Sequence, residues 1–164
     1  MACLGVLFAI EPDEATRLLA AKSDEAIRAI VQDEIEERWD DAWLVEVDKA
    51  WDAIHRCLSD GTLSLHGAIN PSRLAILGGR HLYRGNDYII SLVTPNEAKT
   101  VASEIATIDE AWLRGKYDAI DADDYGCPKS GEDFDYTWDY FQLLPPFFKR
   151  AGDAGRYVIF TVDQ

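Results

Sequence analysis

The segment DKAWDAIHRC, residues 48–57, carries the side chains of this chain that are best suited to chemistry. It holds two carboxylates, an indole, an imidazole and a thiol, on Asp48, Trp51, Asp52, His55 and Cys57. Side chains three and four positions apart lie on one face of a helix, so Asp48, Asp52 and His55 would share a stripe. Such a cluster could bind a divalent metal ion, or an aspartate could orient His55 as a general base. One hypothesis is therefore an enzyme or small-ligand site formed by Asp48, Trp51, Asp52 and His55.

Helix packing explains the same segment with fewer assumptions. Asp48 follows the strand-like WLVEV and is placed to cap the N-terminus of a helix. Trp51, Ile54 and Leu58 recur at helical spacing and predict the buried face, with the thiol at its margin. Neither an HExxH motif nor a second histidine four residues away accompanies His55. Packing is the favoured interpretation, and no catalytic residue, metal ion or cofactor is predicted.

Other short motifs supply no reaction centre either. His66 and His81 lie in separate segments, and the Gly78-Gly79 pair lacks the spacing of a nucleotide-binding loop, so it predicts a tight turn. Residues 121–132 place glycine sixth and glutamate twelfth, as a calcium-binding EF-hand loop does, but a tyrosine stands at the fifth position. Calcium binding there is a third, open interpretation.

The secondary-structure signals predict interspersed strands and helices. Runs of β-branched and aromatic residues predict strands near residues 2–10, 43–47, 74–77, 88–93 and 157–162. Helices are predicted to begin near Pro12, Ser23, Asp48, Thr94, Thr107 and Phe134, the last being interrupted at Pro145 and Pro146. These elements fit an α+β fold, a single compact domain over residues 1–164 with a small mixed β-sheet packed with several helices.

Length and composition place the chain among globular proteins. Its 164 residues suit one domain, and 48% of them are hydrophobic, yet no apolar run approaches the ~20 residues needed to cross a bilayer. The opening MACLGVLFAI lacks a basic region and a cleavage site, so it predicts a strand and not a signal peptide. The three cysteines form no CxxC pair. We therefore expect a cytoplasmic protein with reduced thiols.

The chain resembles the YfbM-like family of bacterial proteins, a domain of unknown function (DUF1877). The similarity runs from the first strand to the last, through the segments VDKAWDAIHRCL, LAILGG, LVTPNEAKTVASEI, LRGKYD and FFKRAGDAGRYVIFTVD. It implies a compact α+β domain, a stand-alone cytoplasmic protein and no established catalytic activity. Related uncharacterised domains occur among immunity proteins that neutralise toxins exchanged between bacteria. The segment ADDYGCPKSGEDFDYTWDYF is longer and more acidic than the family pattern.

The net charge of −14 is concentrated in two acidic windows, residues 33–48 and residues 118–139. Each window contains eight acidic residues and one basic residue, so the rest of the chain is neutral overall. The second window also interleaves its carboxylates with tyrosine and tryptophan, which supply large contact areas at interfaces. Because negative charge repels phosphates, neither nucleic acid nor an anionic membrane is an expected partner.

The second window is therefore predicted to bind a basic protein. Its predicted binding residues are Asp121, Asp123, Asp124, Tyr125, Glu132, Asp133, Asp135, Tyr136, Asp139 and Tyr140. The three tyrosines of this set are expected to be exposed, whereas Phe134 and Phe141 should face inward. The expected partner is a cognate toxin with a basic active-site cleft, which this chain would occlude as an immunity or inhibitor protein.

Overall fold

The computed structural model describes residues 3–64 and 70–163, and its centre is a β-sheet with helices on both faces. The strands are β1 Gly5–Ile10, β2 Leu44–Asp48, β3 Arg80–His81, β4 Tyr88–Val93 and β5 Tyr157–Asp163. Their order across the sheet is β2-β1-β5-β4-β3. The prediction of one α+β domain is thus confirmed.

Every neighbouring pair of strands is antiparallel, so the prediction of a mixed sheet is wrong. The central pair joins the two ends of the chain, with Gly5 opposite Val162 and Ile10 opposite Tyr157. Strand direction depends on such pairing between distant segments, which the local hydrophobic pattern does not report. The sheet ends at β2 on one edge and at the short β3 on the other.

The helices form two layers. One face of the sheet is covered by α1 Pro12–Ala20 and α2 Asp24–Ala29, which continues as a π-helix over Ile30–Glu36. The other face carries α3 Trp51–Leu58, a 3₁₀ turn Pro71–Ala75, α4 Pro95–Ile105, α5 Glu110–Asp118, α6 Ala122–Tyr125, α7 Gly131–Phe141 and α8 Leu144–Asp153.

Each face of the sheet has its own hydrophobic core because successive strand residues point to opposite sides. Phe8, Ile90 and Ile159 pack beneath α1 and α2. Leu7 and Phe160 pack with the larger helical layer on the other face. Because helices cover both faces of the sheet, all six residues of β1 are buried.

Local capping signals fix several helix starts. Ser23 Oγ accepts a hydrogen bond from the N–H of Ala26, and Thr94 forms the predicted capping box with Glu97. The prediction that Thr107 caps the next helix is wrong, because Asp109 caps α5 and accepts a hydrogen bond from the N–H of Trp112.

The strand predicted over residues 74–77 is also wrong. Asn70 accepts a hydrogen bond from the N–H of Ser72 and opens the 3₁₀ turn Pro71–Ala75. Leu77 then adopts a left-handed φ of +58°, which ends any extended run. A short buried apolar run has the same composition in a strand and in a packed turn.

Candidate functional site

Asp48 does not cap α3, so that prediction is wrong. The helix begins at Trp51 with Ala50 as its N-cap, and no side chain caps it. Asp48 is instead the last residue of β2, where it has a left-handed φ of +46°. Its Oδ1 accepts a hydrogen bond from the N–H of Lys49 at 2.7 Å. Pairing with Gly5 keeps Asp48 in the sheet, so its side chain stabilises the turn before the helix.

Trp51 and His55 are buried in the core and bonded to backbone carbonyls. The indole of Trp51 donates to the carbonyl oxygen of Cys3 at 2.9 Å. The Nδ1 of His55 lies 2.9 Å from the oxygen of Ile76, and its Nε2 lies 3.2 Å from the oxygen of Ser64. Burial lowers the pKa of the His55 imidazole, although the two carbonyls act in the opposite direction. The ring is packed in the core, and in its neutral form it can donate to only one of the two carbonyl oxygens.

The remaining polar groups of α3 are also engaged within the fold. Asp52 Oδ1 accepts a hydrogen bond from Arg56 Nε at 2.6 Å. Cys57 is fully buried and not at the margin of the helix face, and burial raises the pKa of its thiol to about 12. The geometry therefore joins the polar groups of Trp51, Asp52 and His55 to other parts of the chain and not to a shared open site.

Arg56 is an organising residue that the sequence reasoning missed. Its side chain is 3% exposed, and its Nη1 donates to Asp124 Oδ2 at 2.5 Å. Together with Asp52 this ion pair fixes α3 to α6. The spacing of Asp52 and Arg56 by four residues was the available signal, since such pairs share a helix face.

The structure brings only part of the second acidic window to the surface. Tyr125 is buried, so the prediction of its exposure is wrong. Its hydroxyl donates to Asp133 Oδ2 at 3.1 Å, and the hydroxyl of Tyr117 donates to the same atom at 2.5 Å. These bonds satisfy the Asp133 carboxylate, and burial raises the pKa of the Tyr125 hydroxyl. Tyr125 and Asp133 therefore join α6, α5 and α7.

The carboxylates of α7 form an exposed stripe. Glu132, Asp135 and Asp139 follow one another at helical spacing and are exposed. Arg114 approaches Asp135 at 3.6 Å, while within residues 3–64 and 70–163 Glu132 and Asp139 form no ion pair. Two half-buried tyrosines border the stripe, Tyr136 and Tyr140, with ring centroids 4.9 Å apart.

Strand β2 meets this stripe. Tyr136 accepts a hydrogen bond from the N–H of Lys49 at 3.2 Å, and Tyr140 donates to Asp48 Oδ2 at 3.5 Å. Glu46 on the same strand is paired with Val6 of the core beneath α1 and α2, so its side chain points to the other face of the sheet. We call the region formed by the end of β2 and the exposed stripe of α7 the β2–α7 surface, and its residues are Asp48, Glu132, Asp135, Tyr136, Asp139 and Tyr140.

The helical part of the first window lies on the opposite face of the sheet. Asp33, Glu34 and Glu37 belong to the helical layer that continues from α2, and Glu34 pairs with Arg17 at 2.6 Å. The carboxylate of Glu36 accepts hydrogen bonds from the hydroxyls of two strand residues, Tyr88 and Thr161. The two windows therefore do not form one continuous surface, and Asp48 is the acidic residue of the first window that contacts α7.

The segment proposed as a calcium loop folds differently. Asp121 caps the short α6 by accepting a hydrogen bond from the N–H of Asp123 at 2.9 Å, and Gly126 closes the helix. Asp124 faces Arg56. Across the part of the chain that the structure describes, no three histidine, cysteine or acidic side chains converge as metal ligands.

The other histidines do not extend a site. His81 lies in β3, where its Nε2 donates to the carbonyl oxygen of Leu77 at 3.0 Å. His66 lies outside the described residues. Among the described helices, none has the length and apolar content to cross a membrane.

The fold places this chain among α+β domains built on an antiparallel sheet. It is similar to the crystal structure of the protein of unknown function YfbM from Escherichia coli, with a TM-score of 0.72 and 19% identity over 97% of this chain and 99% of that chain. A family model for "Domain of unknown function (DUF1877)" matches residues 1–161, so the chain belongs to that family. No curated protein matches the chain.

Proposed function

We propose that this protein is an acidic binding module that docks a basic protein through the β2–α7 surface. The observation that carries the proposal is the exposed carboxylate stripe of α7 beside the half-buried Tyr136 and Tyr140. The hydroxyls of Tyr136 and Tyr140 are bonded to Lys49 and Asp48 at the end of β2, so their rings are already ordered. Ordered aromatic rings lose little conformational entropy on binding, which favours them as anchors.

Electrostatics supports the same surface. Glu132 and Asp139 face solvent without an ion pair among the described residues, and Asp135 adds a third exposed carboxylate on the same stripe of α7. Like charges held this close repel one another, and a cationic partner would relieve that repulsion. Complementary fields can raise association rates to about 10⁸ M⁻¹s⁻¹ at low salt. We therefore expect fast and salt-sensitive association.

A basic active-site cleft is the partner surface that fits best. A compact domain with a net charge of −14 could occlude such a cleft as an immunity or inhibitor protein for a cognate toxin. Small-ligand chemistry at α3 has less support, since the polar atoms of Trp51, Asp52 and His55 are already bonded within the fold.

Charge reversal with a matched control tests the proposal. The surface variant carries Glu132→Lys and Asp139→Lys, and the control carries Asp33→Lys and Glu37→Lys on the opposite face of the sheet. Both change the net charge from −14 to −10 at exposed helical positions. Each protein is immobilised and exposed to lysate from its native host at low and high salt, and captured proteins are identified by mass spectrometry.

The expected result is one basic protein, captured by the wild type and the control at low salt and lost from the surface variant. Equal loss from both variants would show that overall charge, and not the β2–α7 surface, governs capture. Capture of no basic protein by the wild type at either salt concentration would contradict the proposed function.

A further inference from the structure

A cleft of about 770 Å³ lies at the β3 edge of the sheet, the edge opposite β2. The end of α1 and the start of α2 form one wall, and β3 with the loop after it forms the other. Its charged lining residues are Lys22, Asp24, Glu25, Arg28, Arg80 and Arg84. Volumes of this size are typical of sites for small molecules.

Positive side chains without partners concentrate in this cleft. Of the 16 lysines and arginines, five make no ion pair, side-chain hydrogen bond or ring contact within the described residues, and they are Lys22, Lys49, Arg80, Arg84 and Lys99. Three of the five line the cleft. Two carboxylates, Asp24 and Glu25, also line the cleft, but neither forms an ion pair with these three cations, which are therefore available to an anion from solution.

The backbone that carries these cations is held in place. The carboxylate of Asp24 accepts hydrogen bonds from the N–H groups of Arg84 and Gly85 at 3.1 and 3.0 Å. Asp24 thereby ties the loop to α2. At the other end of β3, Gly79 has a φ of +74°, and a Cβ there would lie 2.1 Å from the carbonyl oxygen of Leu92. The close turn sets the start of the strand that bears Arg80.

Arg80 is aimed toward the α1 side of the sheet. Its cross-strand partner is Leu92, and paired residues point to the same face. Leu92 belongs to the core beneath α1 and α2. Arg28, at the side of the cleft, is already held by Asp87 at 2.6 Å and by the hydroxyl of Tyr83 at 2.8 Å. The unpaired cations of the cleft are therefore Lys22, Arg80 and Arg84, and they outnumber its two carboxylates, Asp24 and Glu25.

We propose that this cleft binds a small organic phosphate. Guanidinium groups match the oxygens of phosphate in a bidentate manner, and the cleft offers two of them, on Arg80 and Arg84, beside the ammonium group of Lys22. The cleft is larger than a phosphate ion needs, and Leu19 and Tyr83 offer apolar surface for an organic group. Glu25 would repel a second anionic group, which favours a ligand with one phosphate.

Calorimetric titration of the full chain tests the proposal. The probes are inorganic phosphate, glucose 6-phosphate and AMP, with glucose, adenosine and citrate as comparison compounds. The site variant is Arg80→Gln with Arg84→Gln, and the matched control is Lys49→Gln with Lys99→Gln. Each pair removes two unpaired positive charges, and only the first pair lies in the cleft. Thermal unfolding establishes that each variant is folded.

The expected result is binding of at least one organic phosphate more tightly than inorganic phosphate or its unphosphorylated counterpart. The site variant should weaken that binding at least about tenfold, as expected for loss of charge-assisted hydrogen bonds, and the control should leave it unchanged. No binding of any phosphate at millimolar concentrations would overturn the proposal. Equal binding of a phosphate by the wild type and the site variant would also overturn the proposal, as would tighter binding of citrate than of every phosphate.

Discussion

When His55 is replaced, the free energy of unfolding should fall less steeply with decreasing pH than it does in the wild type. The residue is 1% exposed, and burial lowers the pKa of its imidazole below the value of about 6.5 that it has in the unfolded chain. As the pH falls through that unfolded value, the unfolded chain binds a proton that the folded chain does not. Stability contributed by the neutral ring is therefore present above pH 6.5 and is lost as the pH falls toward the folded pKa.

The magnitude follows from linkage. A difference of one bound proton changes the free energy of unfolding by at most about 1.4 kcal/mol per pH unit. Between about pH 6.5 and 5.5, before carboxylates titrate strongly, His55 can therefore remove up to about 1.4 kcal/mol of stability. Replacing it with glutamine removes this proton while leaving an amide that can donate to the carbonyl oxygen of Ile76.

Urea unfolding at several pH values between 8 and 5.5 measures the effect. His55→Gln should be less stable than the wild type at pH 8 by about 1–2 kcal/mol, because one of the ring's contacts is lost. Its stability should then fall less steeply toward pH 5.5. His81→Gln, at the exposed strand β3, is the control for loss of a histidine outside the core. Equal slopes for His55→Gln and wild type would refute the reasoning.

Three further predictions concern single residues. Gly79→Ala should lower the free energy of unfolding by about 2 kcal/mol or more, because position 79 combines a left-handed φ with a steric clash for an added Cβ. Gly115→Ala is the control, since its added Cβ meets no atom within 4 Å, and it should leave the free energy of unfolding unchanged or raise it. Equal values for the two variants from urea unfolding would contradict this prediction. Thr94→Ala should cost about 1 kcal/mol in the same assay through loss of the α4 cap, and a neutral result would show that the capping box is dispensable. Iodoacetamide at pH 8 should alkylate the exposed Cys127 in the native protein but not Cys57, because burial raises the pKa of the Cys57 thiol to about 12. Equal labelling of the two cysteines, measured by mass spectrometry, would contradict the prediction that Cys57 is protected.

Local sequence signals predicted the elements whose cause is local. The runs of β-branched and aromatic residues in β4 and β5 and the side-chain caps at Ser23 and Thr94 agree with the structure. The strand prediction for residues 74–77 fails because an apolar run of that length does not distinguish a strand from a buried turn. Sheet direction likewise depends on the pairing of β1 with β5, at opposite ends of the chain.

The candidate surface was predictable only in part. Glu132, Asp135 and Asp139 are among the binding residues predicted from the acidic window, and the structure places them on one exposed stripe of α7. The burial of Tyr125 was not predictable, because it depends on the tertiary contact of its hydroxyl with Asp133. The helical part of the first window is separated from the β2–α7 surface, and this separation also depends on the fold, since the sheet lies between that helical part and α7.

The most direct test of docking at the β2–α7 surface is site-specific photo-crosslinking in lysate from the native host. A benzophenone amino acid replaces Tyr140 in one protein, and in the control it replaces Trp39, a 40% exposed ring within the first acidic window. The account predicts a covalent adduct with one basic protein from position 140 at low salt, reduced at high salt and absent from position 39. Adducts of equal yield from both positions, or none from position 140, would contradict it.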